Sequence, residues 1–184
     1  MRVLSKFPSV FESPLPAFTA DGALPPGEYA PSRIEFESRF VNAGDAVTRR
    51  EIYVGFERHR AALLAAGLAP DACELLDGSY TEAKEQPGDI DLVVEVPVTA
   101  EELAAMTKDS PILGLLRGKI TRKEYRCDAY AILALPPDHP DYYSVTVRGI
   151  EYWTELFGAT REREPDRRRI PKGRVWTKIR GFHE

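Results

Sequence analysis

Two aspartates, Asp89 and Asp91, open an apolar run that continues through Ile90, Leu92, Val93 and Val94. Residues i and i+2 of a strand point to one face, roughly 6.6 Å apart along the backbone. Carboxylates so placed repel each other unless a positive charge sits between them, and apolar neighbours make their burial more costly. A divalent cation resolves the conflict. Oxygen ligands suit Mg²⁺, which takes one or two protein carboxylates together with substrate phosphates. The alternative is a pair of solvated acids at an exposed strand end. Upstream lies Gly78-Ser79, directly after the short run Leu75-Leu76-Asp77. A glycine there lets the backbone approach a ligand closely, and a serine offers a hydroxyl and an N–H to a phosphate. Alone, the pair is only a turn.

Gly78-Ser79, nine intervening residues and then Asp89-Ile90-Asp91-Leu92 form a combination that resembles the nucleotidyltransferase superfamily typified by DNA polymerase beta. That signature is an apolar residue, Gly, Gly or Ser, a loop, and Asp-apolar-Asp/Glu-apolar. Asp77 departs from it, standing where the family has an apolar residue; it either perturbs the phosphate loop or faces solvent. The resemblance implies a third carboxylate on a later strand, because two metal ions ~3.5–4 Å apart are best bridged by three acids. Asp128 is the candidate, the one acid between Tyr125 and Leu135. A salt bridge to Arg126 is the competing reading of the same residue. The resemblance further implies Mg²⁺ or Mn²⁺ as cofactor, two ions with a bound NTP, held by Asp89, Asp91 and Asp128. It assigns Gly78 and Ser79 to the phosphates. Lys84, mid-loop, is either a triphosphate contact or a solvated lysine. Motif agreement extends over residues 46 to 135. More loosely, the sequence is similar to short bacterial nucleotidyltransferase-like proteins, through Leu24-Pro25-Pro26-Gly27, the Asp77 to Lys84 loop and the Asp89 to Asp91 strand.

The expected activity is transfer of a nucleoside monophosphate from an NTP to the hydroxyl of an acceptor, a protein or an RNA. The alternative is a non-catalytic module of the same fold, such as an antitoxin or the partner of a defence protein. A simple nucleic-acid binder would rest on the basic C-terminal stretch alone.

Elements must position these residues. Before residue 32 the chain is rich in proline, which fixes φ and removes donors, and this predicts an irregular surface arm over 1–45 with a short helix opened by the capping box Ser32-x-x-Glu35. A core over 46–160 follows. Thr48-x-x-Glu51 opens a longer helix with Ile52, Phe56, Leu63 and Leu64 at helical spacing and Gly67 at its end. Strands are predicted at Cys73 to Leu76, Ile90 to Val96 and Tyr125 to Leu135. Helices are predicted after Thr99, carrying Leu103 and Met106, at Pro111 to Arg117, and at Tyr142 to Phe157. A basic segment over 161–184 ends in a strand candidate, Arg174 to Ile179. This order predicts an α/β (α+β) fold, a small mixed sheet with helices mainly on one face. The resemblance adds that Gly78-Ser79 opens a helical turn and that the Asp89 and Asp128 strands are neighbours.

The chain has 184 residues, 43% hydrophobic and 29% charged, enough for one domain with a packed core. No apolar run approaches the ~18–20 residues of a membrane span. Met1 to Val10 carries charges without the apolar centre of a secretory signal, so a reducing cytoplasm is the expected compartment. The net charge of -4 argues against coating nucleic acid. Charge is uneven: Arg161 to Glu184 holds nine Lys/Arg against four Asp/Glu, a basic end able to guide a phosphate-bearing partner or simply a solvated surface. Cys73 and Cys127 lack zinc spacing and read as buried strand residues. Gly114-x-x-x-Gly118-Lys119 imitates a P-loop but has too few residues between its glycines, with Ile120 where Ser or Thr must bind Mg²⁺.

Overall fold

The computed structural model describes residues 14–105, 110–162 and 168–182. Met106 and residues 1–13 of the arm lie outside these. Five strands form one mixed sheet in the order β1-β5-β2-β3-β4. Their ranges are β1 Glu28–Tyr29, β2 Cys73–Asp77, β3 Ile90–Pro97, β4 Cys127–Ala134 and β5 Arg174–Lys178. Strand β2 runs antiparallel to both β3 and β5, while β3 and β4 are parallel, as are β1 and β5.

The α-helices are α1 Arg33–Phe36, α2 Ala46–Ala65, α3 Ala100–Ala105, α4 Pro111–Gly114, α5 Arg122–Tyr125 and α6 Arg148–Phe157. A π-helical segment, Tyr142–Val147, runs into α6, so the helix expected at Tyr142 to Phe157 is present in full. The Ser32 capping box forms, with Glu35 N donating to Ser32 Oγ and Ser32 N to Glu35. Helix α2 starts earlier than its Thr48 signal. Asp45 is the cap, accepting from the N–H groups of Val47 and Thr48, because a carboxylate satisfies free first-turn donors and complements the helix dipole.

Most of the helical mass lies on one face. There Phe36, Phe40, Ile52, Phe56 and Leu63 bury against Leu76, Leu92, Val94, Ala129 and Val175. Helix α6 covers part of the other face, where Ile150 and Phe157 pack on Leu75, Val93, Ile132 and Trp176. Side-chain alternation along each strand separates the two layers: Leu75 faces α6 and Leu76 faces α2.

The proline-rich arm is more than a surface segment. Its Leu24 and Tyr29 are buried, and β1 pairs with β5. Glu28 accepts from the Arg174 guanidinium and from Trp176 Nε1. Prolines here leave fixed, extended backbone whose apolar neighbours still find the core. The strand expected from Tyr125 begins at Cys127 instead. Tyr125 closes α5, and Arg126 turns the chain in a left-handed conformation at φ 57°. Arg126 therefore does not share a strand face with Asp128.

Candidate active site

The register of the sheet aligns acids from three strands. Asp77 pairs with Asp91 across β2 and β3, and Asp91 pairs with Asp128 across β3 and β4. Directly opposed residues share a face, and the two-residue period adds Asp89, one position before β3, to the same side. All four lie on the face that α6 only partly covers. Carboxylate oxygens of Asp89, Asp91 and Asp128 lie within 4.8 Å of one another. The three metal-ligand candidates are thus brought together, on neighbouring strands as expected.

The cluster is largely buried. Asp89 is 6% exposed and Asp128 3%. Burial, and then the charge of Asp89, push Asp91 up to about 6, with Arg161 opposing the shift. Burial and Asp89 also raise Asp128. Asp128 Oδ1 is buried with no hydrogen-bond partner among the described residues, an arrangement that costs free energy unless something else binds that oxygen. An all-oxygen donor set, mutual repulsion and an orphaned carboxylate oxygen together suit a hard divalent cation.

Gly78 forms the next wall. Its φ of 79° and ψ of -168° are open to glycine and strained for other residues. A Cβ there would lie 1.9 Å from Asp91 Oδ2, so the backbone presses directly on the carboxylate. Ser79 opens the expected helical turn, a single 3₁₀ turn over Ser79–Thr81, and is half-buried. Lys84 is exposed and borders the same cleft, a space of about 740 Å³ that also reaches Tyr130, Tyr152 and Trp153.

Two residues that motif reasoning missed hold this wall in place. Lys172, buried just before β5, places Nζ 2.5 Å from Asp77 Oδ1 and 3.0 Å from Glu82 Oε1. Asp77 does not face solvent; it anchors the C-terminal segment beside the turn. Even so, burial dominates over Lys172 and pushes Asp77 up to about 6. Arg49, buried on α2, donates Nη1 to the carbonyls of Phe40 and Tyr80, both at 2.9 Å, and Nη2 to those of Glu82 and Lys84. It thereby fixes the loop that carries Lys84. Neither partnership leaves a local mark in the sequence, since each joins segments far apart in the chain.

The sequence profile described as "Family of unknown function (DUF6932)" matches residues 16–178. The chain belongs to this family. No significant match was found among curated proteins or solved structures. The DUF6932 span runs through all five strands and contains every residue of the cleft named above. The acid cluster, the Gly78 turn and the Lys172 anchor are therefore parts of the DUF6932 domain itself.

Proposed function

We propose that the protein is a divalent-metal-dependent nucleotidyltransferase, moving a nucleoside monophosphate from an NTP to an acceptor hydroxyl and releasing pyrophosphate. The observation that carries this reading is the convergence of Asp89, Asp91 and Asp128 within 4.8 Å. The Gly78–Ser79 turn beside them supports it. In the reaction the acceptor oxygen bonds to the α-phosphorus, the bond from that phosphorus to the β-phosphate bridge breaks, and the hydroxyl proton passes to base or solvent.

Asp89 and Asp91 would hold two ions, Mg²⁺ or Mn²⁺, and Asp128 one of them. Bound ions would neutralise the phosphates and stabilise charge on the attacking and leaving oxygens. Gly78 and Ser79 would present backbone N–H and hydroxyl groups to the β- and γ-phosphates, with Lys84 at the cleft rim. Asp128 would orient the acceptor hydroxyl. Holding these carboxylates on paired strands keeps the site organised before substrate arrives, which is where such catalysis gains most.

The test incubates the protein with each labelled NTP, Mg²⁺ or Mn²⁺ and a cell lysate. Wild type should label an acceptor, and Asp128→Asn should reduce transfer by about 10²-fold or more with a modest effect on NTP binding. Equal labelling by both proteins would refute the assignment.

A second reading has one specific observation in its favour. Arg122 and Arg161 contact Asp89 and Asp91, as in a module that keeps the fold and binds a partner, for instance as an antitoxin. Arg168 and Arg169, with Arg167 outside the described residues, would then carry the contact, and capture of a protein partner would respond to salt and to these arginines, not to the acids. Among the described residues, no helix is long and apolar enough to cross a membrane. Work in the cytoplasm, where NTPs are abundant, fits either reading.

A further inference from the structure

Two of the three clustered carboxylates already hold cations, supplied by the protein itself. Arg122 Nε, on α5, lies 2.8 Å from Asp89 Oδ2. Arg161 Nη2, past the end of α6, lies 3.5 Å from Asp91 Oδ1. Neither is a locked internal group. The Arg122 side chain is 46% exposed and that of Arg161 87%, whereas the Lys172 side chain, paired to Asp77, is 2% exposed. Gly88 lies beside the guanidinium: a Cβ there would come within 3.1 Å of Arg122 Nη2.

With a guanidinium on Asp89 Oδ2, a divalent ion on the same carboxylate would meet a second positive charge at close range, so arginine and ion compete for it. Arrival of the ion therefore weakens the hold of the arginine. A released guanidinium is free to pair with an incoming anion, and its planar fork matches the oxygens of a phosphate as it does those of a carboxylate. We propose that Arg122 is a placeholder on Asp89, surrendering the position to a divalent cation and taking hold of a nucleotide phosphate instead. Metal and nucleotide then load together, each raising the affinity of the other by the same factor. Arg161 does the same, more loosely, at Asp91. The proposal rests on reading Asp89, Asp91 and Asp128 as a divalent-cation site.

The experiment titrates the full chain with Mn²⁺ alone, following loss of the free-ion paramagnetic resonance signal. Arg122→Gln should bind Mn²⁺ about tenfold more tightly than wild type, because the competing cation is gone. Arg122→Lys, which keeps the charge but loses the fork, should fall between. Lys119→Gln is the control: its charge reaches Asp128 from the same cleft wall, and its removal should change Mn²⁺ affinity by less than about threefold. Calorimetry with the Mn²⁺ complex of inorganic tripolyphosphate should show about tenfold weaker binding to Arg122→Gln than to wild type. Circular dichroism confirms that each variant is folded, as expected for changes at partly exposed positions. Equal Mn²⁺ affinity in wild type and Arg122→Gln, or an equal gain in Lys119→Gln, overturns the placeholder and leaves the metal site standing. If no variant binds Mn²⁺, the reading of the acid cluster fails and the placeholder fails with it.

Discussion

Lys172 and Asp77 form a buried ion pair, Nζ to Oδ1 at 2.5 Å, and the same ammonium lies 3.5 Å from the carbonyl oxygen of Gly78. One side chain thus ties the entry to β5 to the end of β2 and to the turn that walls the acid cluster.

Removing that ammonium should be costly. Lys172→Met leaves Asp77 and Glu82 facing each other without a counter-charge, and loss of about 3–5 kcal/mol is expected in urea unfolding. Lys172→Met combined with Asp77→Asn should recover much of it, since a neutral amide needs no ammonium. A double variant no more stable than the single would show that Lys172 acts through packing alone.

Asp91 should make stability depend on pH in a particular direction. Its carboxyl is raised from 3.8 to about 6, mainly by burial and then by Asp89. Between these values the folded chain keeps a proton that the unfolded chain has released, so stability falls as pH rises through this window and is lowest above it. Asp91→Asn should therefore stabilise the protein at pH 7.5, by an amount on the order of 2–3 kcal/mol, and have little effect near pH 4. The check is chemical denaturation of both proteins at the two pH values. The same gain at both would mean that the effect is not electrostatic.

Cation binding should relieve the cluster's repulsion. Millimolar Mg²⁺ or Mn²⁺ with an NTP should raise Tm by mass action, measured by differential scanning fluorimetry. Asp89→Asn with Asp91→Asn should abolish that rise while folding at least as stably as wild type at neutral pH. A double variant that still responds would place the ion elsewhere.

Gly78→Ala brings a methyl group to within 1.9 Å of Asp91 Oδ2, at a φ of 79°. Either the turn or the carboxylate must move. The expected result is a loss of about 1–3 kcal/mol in stability, together with loss of the metal-dependent rise in Tm. A destabilised variant that keeps its full metal response would separate the turn from the site.

Much of the site was legible because its parts are local and periodic. The i, i+2 spacing put Asp89 and Asp91 on one face, the apolar run around Asp128 marked a strand, and the family resemblance made the two strands neighbours, which the register of β3 and β4 bears out. What stayed hidden depends on distant pairing. Nothing near Lys172 in the sequence marks it as the partner of Asp77, and Arg49 reads as one more polar residue on a helix although it gathers four carbonyls. Proline frequency suggested an arm lying outside the fold, but Tyr29 is buried, because extended backbone suits a short edge strand as well as a loop. At Arg126 the left-handed turn gives no compositional signal, since such turns favour glycine or asparagine.

The position of β5 in the sheet also sets when the cleft can exist during synthesis. Until residues 174–178 leave the ribosome, β1 has no strand to join and β2 keeps an open edge. Lys172 reaches Asp77 only at that moment, long after the acids themselves have been translated. A nascent chain thus leaves one edge of β2 unpaired until β5 is made, a stage at which chaperone capture or aggregation competes with folding. A chain terminated before residue 172 would carry the acids without the ammonium that ties Asp77 and the Gly78 turn to the C-terminal segment.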